Sequence, residues 1–112
     1  MKTKTIELIG DALNWAVTYA LHGEAVHYIF EHQPRCAHRY STNWYIGGQI
    51  IERERIDLFW QSESQCFVGS MTRLHKVGWG HLQYGPTPLI AAMRCYVTSK
   101  LGDEVEIPEE LL

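Results

Sequence analysis

A chain of 112 residues with 46% hydrophobic and 21% charged residues and a net charge of −3 has the balance of a soluble globular protein. Its 4 Trp, 6 Tyr and 3 Phe exclude a disordered tail, and no apolar run approaches the ~18 residues of a membrane span. The length suits one domain over residues 1–112, and residues 1–4 lead into no signal-type apolar stretch, so a cytoplasmic protein is expected.

Residues 6–21 carry helical periodicity: Glu7, Gly10, Asp11, Asn14 and Thr18 form a narrow polar stripe beside a wide apolar arc. Thr5 is the expected N-cap and Gly23 the stop, while Gly10 inside the helix implies a close neighbour. Next comes a histidine-rich stretch, with His22, His27, His32, Cys36 and His38 within seventeen residues. These are zinc-ligand types, but their spacings of 5, 5, 4 and 2 fit no established zinc pattern, so no metal is expected. Cys36, Cys66 and Cys95 are odd in number and form no CxxC, which argues for a reduced compartment without a disulfide framework.

The middle of the chain reads as strands and turns. Residues 25–30, 43–46, 65–68 and 77–84 have strand composition, with 43–46 expected to break at Gly47 and Gly48. Glu52, Arg53, Glu54 and Arg55 read as a solvated charged run, and 56–60 fits neither period. A clearer helix follows. Thr87 is a good N-cap, Pro88 suits the first helical position and Gly102 the exit. Leu89, Ile90, Met93, Tyr96, Val97 and Leu101 form its core stripe, with Arg94 expected at the rim. Its opposite face is small rather than charged (Ala91, Ala92, Cys95, Thr98, Ser99), which fits a sandwiched helix or a homodimer contact, the former favoured. Residues 103–112 hold five carboxylates and no base, and are expected to be a solvated acidic segment. The fold class expected is α+β, with two main helices packed on a small, mostly antiparallel sheet.

Neither a GxSxG nucleophile elbow nor a phosphate-binding loop is present, and Gly78-Trp79-Gly80 lacks the third glycine of a dinucleotide fingerprint. One constellation fits a planar anionic ligand: Trp44 and Trp79 as aromatic walls, Gly48 as a close-approach position and Arg53 as the anion fork. The N-terminus of the last helix, at Thr87, adds free backbone N–H groups. A body with net charge of only +2 outside the acidic segment disfavours nucleic acid.

Three stretches carry a family resemblance. Residues 85–94, Gly85-Pro86-Thr87-Pro88-Leu89-Ile90-Ala91-Ala92-Met93-Arg94, continue through Lys100-Leu101-Gly102-Asp103-Glu104-Val105 to 108–111. With them go Ala12-Leu13-Asn14-Trp15-Ala16-Val17, and Tyr40-Ser41-Thr42-Asn43-Trp44 leading to Gly47-Gly48-Gln49-Ile50-Ile51-Glu52-Arg53-Glu54. Together they resemble the NinX-like family of small lambdoid phage and prophage proteins, a domain family of unknown function; residues 23–39 and 58–84 match it less distinctly. The resemblance implies an accessory phage product in the cytoplasm of a bacterial host and supplies no catalytic residue or cofactor to carry over. The first expectation is therefore a non-enzymatic protein that binds a host or phage protein. The second is a protein that binds or sequesters a nucleotide-like small molecule through Trp44, Gly48, Arg53 and Trp79.

Overall fold

The computed structural model describes residues 1–23, 38–71 and 82–112. In chain order these form β1 (Lys2–Lys4), a 3-10 turn (Thr5–Glu7), α1 (Gly10–His22), α2 (Trp44–Glu54), β2 (Asp57–Gln61) and β3 (Cys66–Ser70). They continue with β4 (Leu82–Gly85), α3 (Pro88–Leu101), β5 (Glu104–Glu106) and a closing 3-10 turn (Glu109–Leu111). Strands β2, β3 and β4 make an antiparallel sheet in that order, and β1 pairs antiparallel with β5. The fold is α+β.

Helix α3 is the centre of the molecule. Its caps are those its sequence encodes: the Thr87 hydroxyl accepts from the Ile90 N–H at 3.1 Å, Pro88 opens the first turn, and Gly102 closes the helix. Every residue from Leu89 to Thr98 is buried, because α1 and α2 pack on it along with all three strands of the larger sheet. The small face meets the sheet. A Cβ on Gly69 would lie 2.8 Å from the Ala91 carbonyl oxygen, and one on Gly85 2.6 Å from the Ala91 nitrogen. Helix and strand backbones therefore approach more closely than ordinary side chains permit, and the small residues of α3 are spent on internal packing.

Several expectations change. Thr5 does not cap α1; it is fully buried, its hydroxyl donates to the Gly102 carbonyl at 2.8 Å and its N–H to that of Asp103 at 2.8 Å. Helix α1 starts instead at Gly10, which has φ +59° and open space within 4 Å of where a Cβ would stand, so glycine serves the backbone angle there rather than a close neighbour. Residues 43–46 are not a strand. Asn43 caps α2, its side chain accepting from the Tyr45 N–H at 2.9 Å, and the helix runs through both glycines. Residues 56–60, which show no clear period, include most of β2.

Arg94 is not at the rim but 8% exposed. Its Nε donates to the Leu8 carbonyl at 2.8 Å and its Nη1 to that of Tyr84 at 2.7 Å, tying the segment before α1 to β4. Burial lowers its pKa. The acidic segment is likewise no free tail: Val105, Ile107 and Leu111 are buried, with Thr3 opposite Val105 in the β1–β5 pair. Glu104 and Glu106 occupy the alternate, outward positions of the strand, as a period of two requires. The expected strand at 25–30 lies outside the described residues, as does the larger part of that at 77–84, of which 82–84 fall in β4.

Candidate functional site

The start of α2 is positioned from α1. Asn14, 5% exposed, lies on what the sequence marks as a polar stripe, and its Oδ1 accepts from both the Ser41 N–H (2.9 Å) and the Ser41 hydroxyl (2.7 Å). That fixes the segment leading to the Asn43 cap. One turn on, Gly47 lets α2 settle against the rest: a Cβ there would lie 2.5 Å from the Tyr40 carbonyl oxygen and 2.7 Å from Leu89 Cδ1.

The outcome is that the N-terminal turns of α2 and α3 meet. Between them lies a shallow depression of about 230 Å³, lined by Ser41, Thr42, Trp44, Thr87, Pro88, Leu89 and Ile90. Trp44 is 54% exposed and Tyr45, beside it, 80%. Two large aromatics thus stand in solvent on a capped helical turn, and Trp44 lines an apolar hollow that Thr42 and Thr87 also line. Trp44 and Thr87, 43 residues apart in sequence, line the same depression.

Gly48 also lies near Trp44, since a Cβ on it would sit 3.9 Å from Trp44 Cε3. Arg53 goes elsewhere. Nine residues along an α-helix are two and a half turns, so Arg53 projects from the face opposite Trp44, about 13 Å along the axis. Its Nε reaches Glu54 Oε2 at 3.1 Å, and Glu54 faces Lys100 of α3 at 3.9 Å. The guanidinium also stands beside two buried phenols. Burial pushes the Tyr96 and Tyr40 hydroxyls up, and Arg53 pulls both back. A wider, polar groove of about 510 Å³ runs over Gln49, Glu52, Arg53 and Arg55, with no aromatic wall. Trp79 lies outside the described residues, as do His27, His32 and Cys36; His22 lies at the end of α1 and His38 is exposed. Among the described residues no group of three His, Cys, Asp or Glu side chains is placed to hold a metal ion.

The hollow at Trp44 falls below the ~300–1,000 Å³ usual for small-molecule sites. Exposed Trp and Tyr on a preformed turn are, by contrast, the side chains that dominate protein–protein interfaces. Asn14, Ser41 and Tyr45 are not among the site residues that the sequence points to; the one available signal is an Asn in the middle of a helix with an otherwise apolar surround.

The family model described as Bacteriophage P22, NinX matches residues 4–100. The chain belongs to this family. The match covers α1, the Trp44 turn, the sheet and all but the final residue of α3, so the depression between α2 and α3 lies wholly within the NinX region. No curated protein matches the chain. Among the described residues no helix is long and apolar enough to cross a membrane.

Proposed function

We propose that this NinX-family chain is a non-enzymatic phage accessory protein that acts in the cytoplasm of the bacterial host by binding a host or phage protein. The observation that carries the reading is the pair Trp44 and Tyr45, 54% and 80% exposed on the capped first turn of α2, with Trp44 lining an apolar hollow. A loose loop would lose ordering entropy on binding; a capped helical turn has already lost it. The partner surface that fits is an apolar side chain entering the hollow, flanked by groups that hydrogen-bond to Thr42 and Thr87.

The test is a photo-crosslinking phenylalanine analogue at position 45, expressed in phage-infected cells. One defined protein adduct is expected, lost when Trp44→Ala is added, with an exposed control such as position 103 giving none. Adducts spread over many proteins and indifferent to Trp44→Ala would overturn the reading. So would a stoichiometric small-molecule mass in a native spectrum that disappears in Trp44→Ala, an outcome that installs ligand sequestration in its place.

A further inference from the structure

Asn14 is an unfavourable residue for the place it occupies. It lies in the middle of α1 among Leu13, Trp15, Ala16 and Val17, and is buried with them. Asn is a weaker helix former than the Ala or Leu nearby, and its amide is taken out of water there. The amide is matched by Ser41, whose backbone N–H donates to it at 2.9 Å and whose hydroxyl donates at 2.7 Å. A backbone N–H only donates, so the facing atom is the amide oxygen, and no apolar side chain could take its place. Ser41 is itself buried and lines the hollow beside Trp44. The turn beyond it is bonded to itself. The N–H groups of Thr42 and Asn43 donate to the Arg39 carbonyl at 3.2 and 2.9 Å, and that of Gly47 donates to the Asn43 carbonyl at 2.9 Å. The Asn14–Ser41 pair ties this unit to α1, whereas α1 and α3 meet through apolar burial.

We propose that Asn14 is a positioning residue of the Trp44–Tyr45 surface: its amide serves to hold the floor of the hollow in place, not to hold α1 in the fold. Asn14 lies beneath that floor and acts through Ser41. The inference deepens the function proposed above, resting on it for what the turn binds but not for how the turn is held.

Two substitutions separate these roles. Asn14→Leu removes the acceptor, keeps a side chain of similar size and leaves the Ser41 N–H without its partner. Asn14→Asp keeps the acceptor and buries a carboxyl group instead. Amide hydrogen exchange, followed residue by residue by NMR, reads both. Ser41 and Asn43 report the turn, while Met93 and Val97, fully buried in α3, report the whole fold. In Asn14→Leu the turn amides are expected to exchange about 10–100-fold faster, with those of α3 within about threefold of wild type. In Asn14→Asp the α3 amides are expected to speed up about tenfold or more, and the turn amides by no more than those of α3. The adduct at position 45 is expected to disappear in Asn14→Leu and to persist in Asn14→Asp. An Asn14→Leu chain that no longer folds, or whose α3 amides accelerate as much as Ser41, makes Asn14 a residue of the fold and overturns the proposal. So does an adduct that survives Asn14→Leu. A wild type that gives no adduct overturns the binding function instead, and the exchange rates then still decide how the turn is held.

Discussion

Gly47 and Gly48 are chemically identical neighbours on one helix, yet the fold asks opposite things of them. A Cβ on Gly47 would collide with the Tyr40 carbonyl oxygen at 2.5 Å and with Leu89, neither of which has room to retreat from a close-packed interior. A Cβ on Gly48 meets only the edge of the Trp44 indole, at an ordinary contact distance of 3.9 Å. Gly47→Ala is therefore expected to destabilise by about 1–3 kcal/mol, the usual cost of overpacking. Gly48→Ala is expected to stabilise by about 0.5–1 kcal/mol, the difference in helix propensity. Urea denaturation of the two single variants checks both. Equal effects would mean that α2 does not sit against Tyr40 and Leu89 as described. The same pair explains why α2 is hard to read in the sequence. Two adjacent glycines look like a break, and the reason for the first is an atom seven residues away that no local pattern reveals. Once α2 is known to be helical, the spacing of nine between Trp44 and Arg53 separates them at once.

At the level of elements, α1 and α3 are legible because their signals are local: Thr87-Pro88 at one end of α3, Gly102 at its other, Gly23 after α1. The C-terminal strand is legible too, but its charge obscures it. Glu104, Val105, Glu106 and Ile107 alternate with a period of two, while five carboxylates in ten residues suggest a solvated tail. Arg94 shows the converse limit. Nothing in an apolar helical stripe announces that its one cation is satisfied by carbonyls ten residues before it and 86 residues before it. A fully buried Val, Ile or Leu contributes about 1.5–3 kcal/mol, so losing Val105, Ile107 and Leu111 together removes an amount comparable to the ~5–15 kcal/mol by which a whole domain is stable. Deleting residues 103–112 is accordingly expected to abolish the cooperative thermal transition. Glu104→Gln with Glu109→Gln, which removes charge and keeps the apolar positions, is expected to stay within about 1 kcal/mol of wild type. A truncated chain that melts like the full one would return the segment to solvent.

At the scale of the whole molecule, the thiol and phenols among the described residues whose protonation the fold alters point one way. Burial pushes the Cys95 thiol from 9.0 up to about 12, and raises Tyr40 and Tyr96 above their ordinary 10.0. In each case the unfolded chain surrenders its proton first, so above pH 9 the folded state holds protons the unfolded state has lost. Stability is then fully present below pH 9 and falls as pH rises. Cys95 alone accounts for a loss on the order of 1 kcal/mol at pH 10, one unit above its unfolded value, and the tyrosines add to the slope beyond that. The charge that changes on both states as lysines deprotonate cannot be confused with this, because Cys95→Ala removes only the thiol contribution. Urea midpoints measured in reductant from pH 7 to pH 10.5 are expected to decline for the wild type and to decline less for Cys95→Ala, with the two curves converging as pH rises. Parallel curves would place the thiol in water. The sign matters for how α3 is read, since a thiol held neutral at 0% exposure against Gly69 is a packing group of the helix–sheet contact rather than a nucleophile. That leaves the interior to hold the frame, with the aromatics of α2 and β2 exposed outside it.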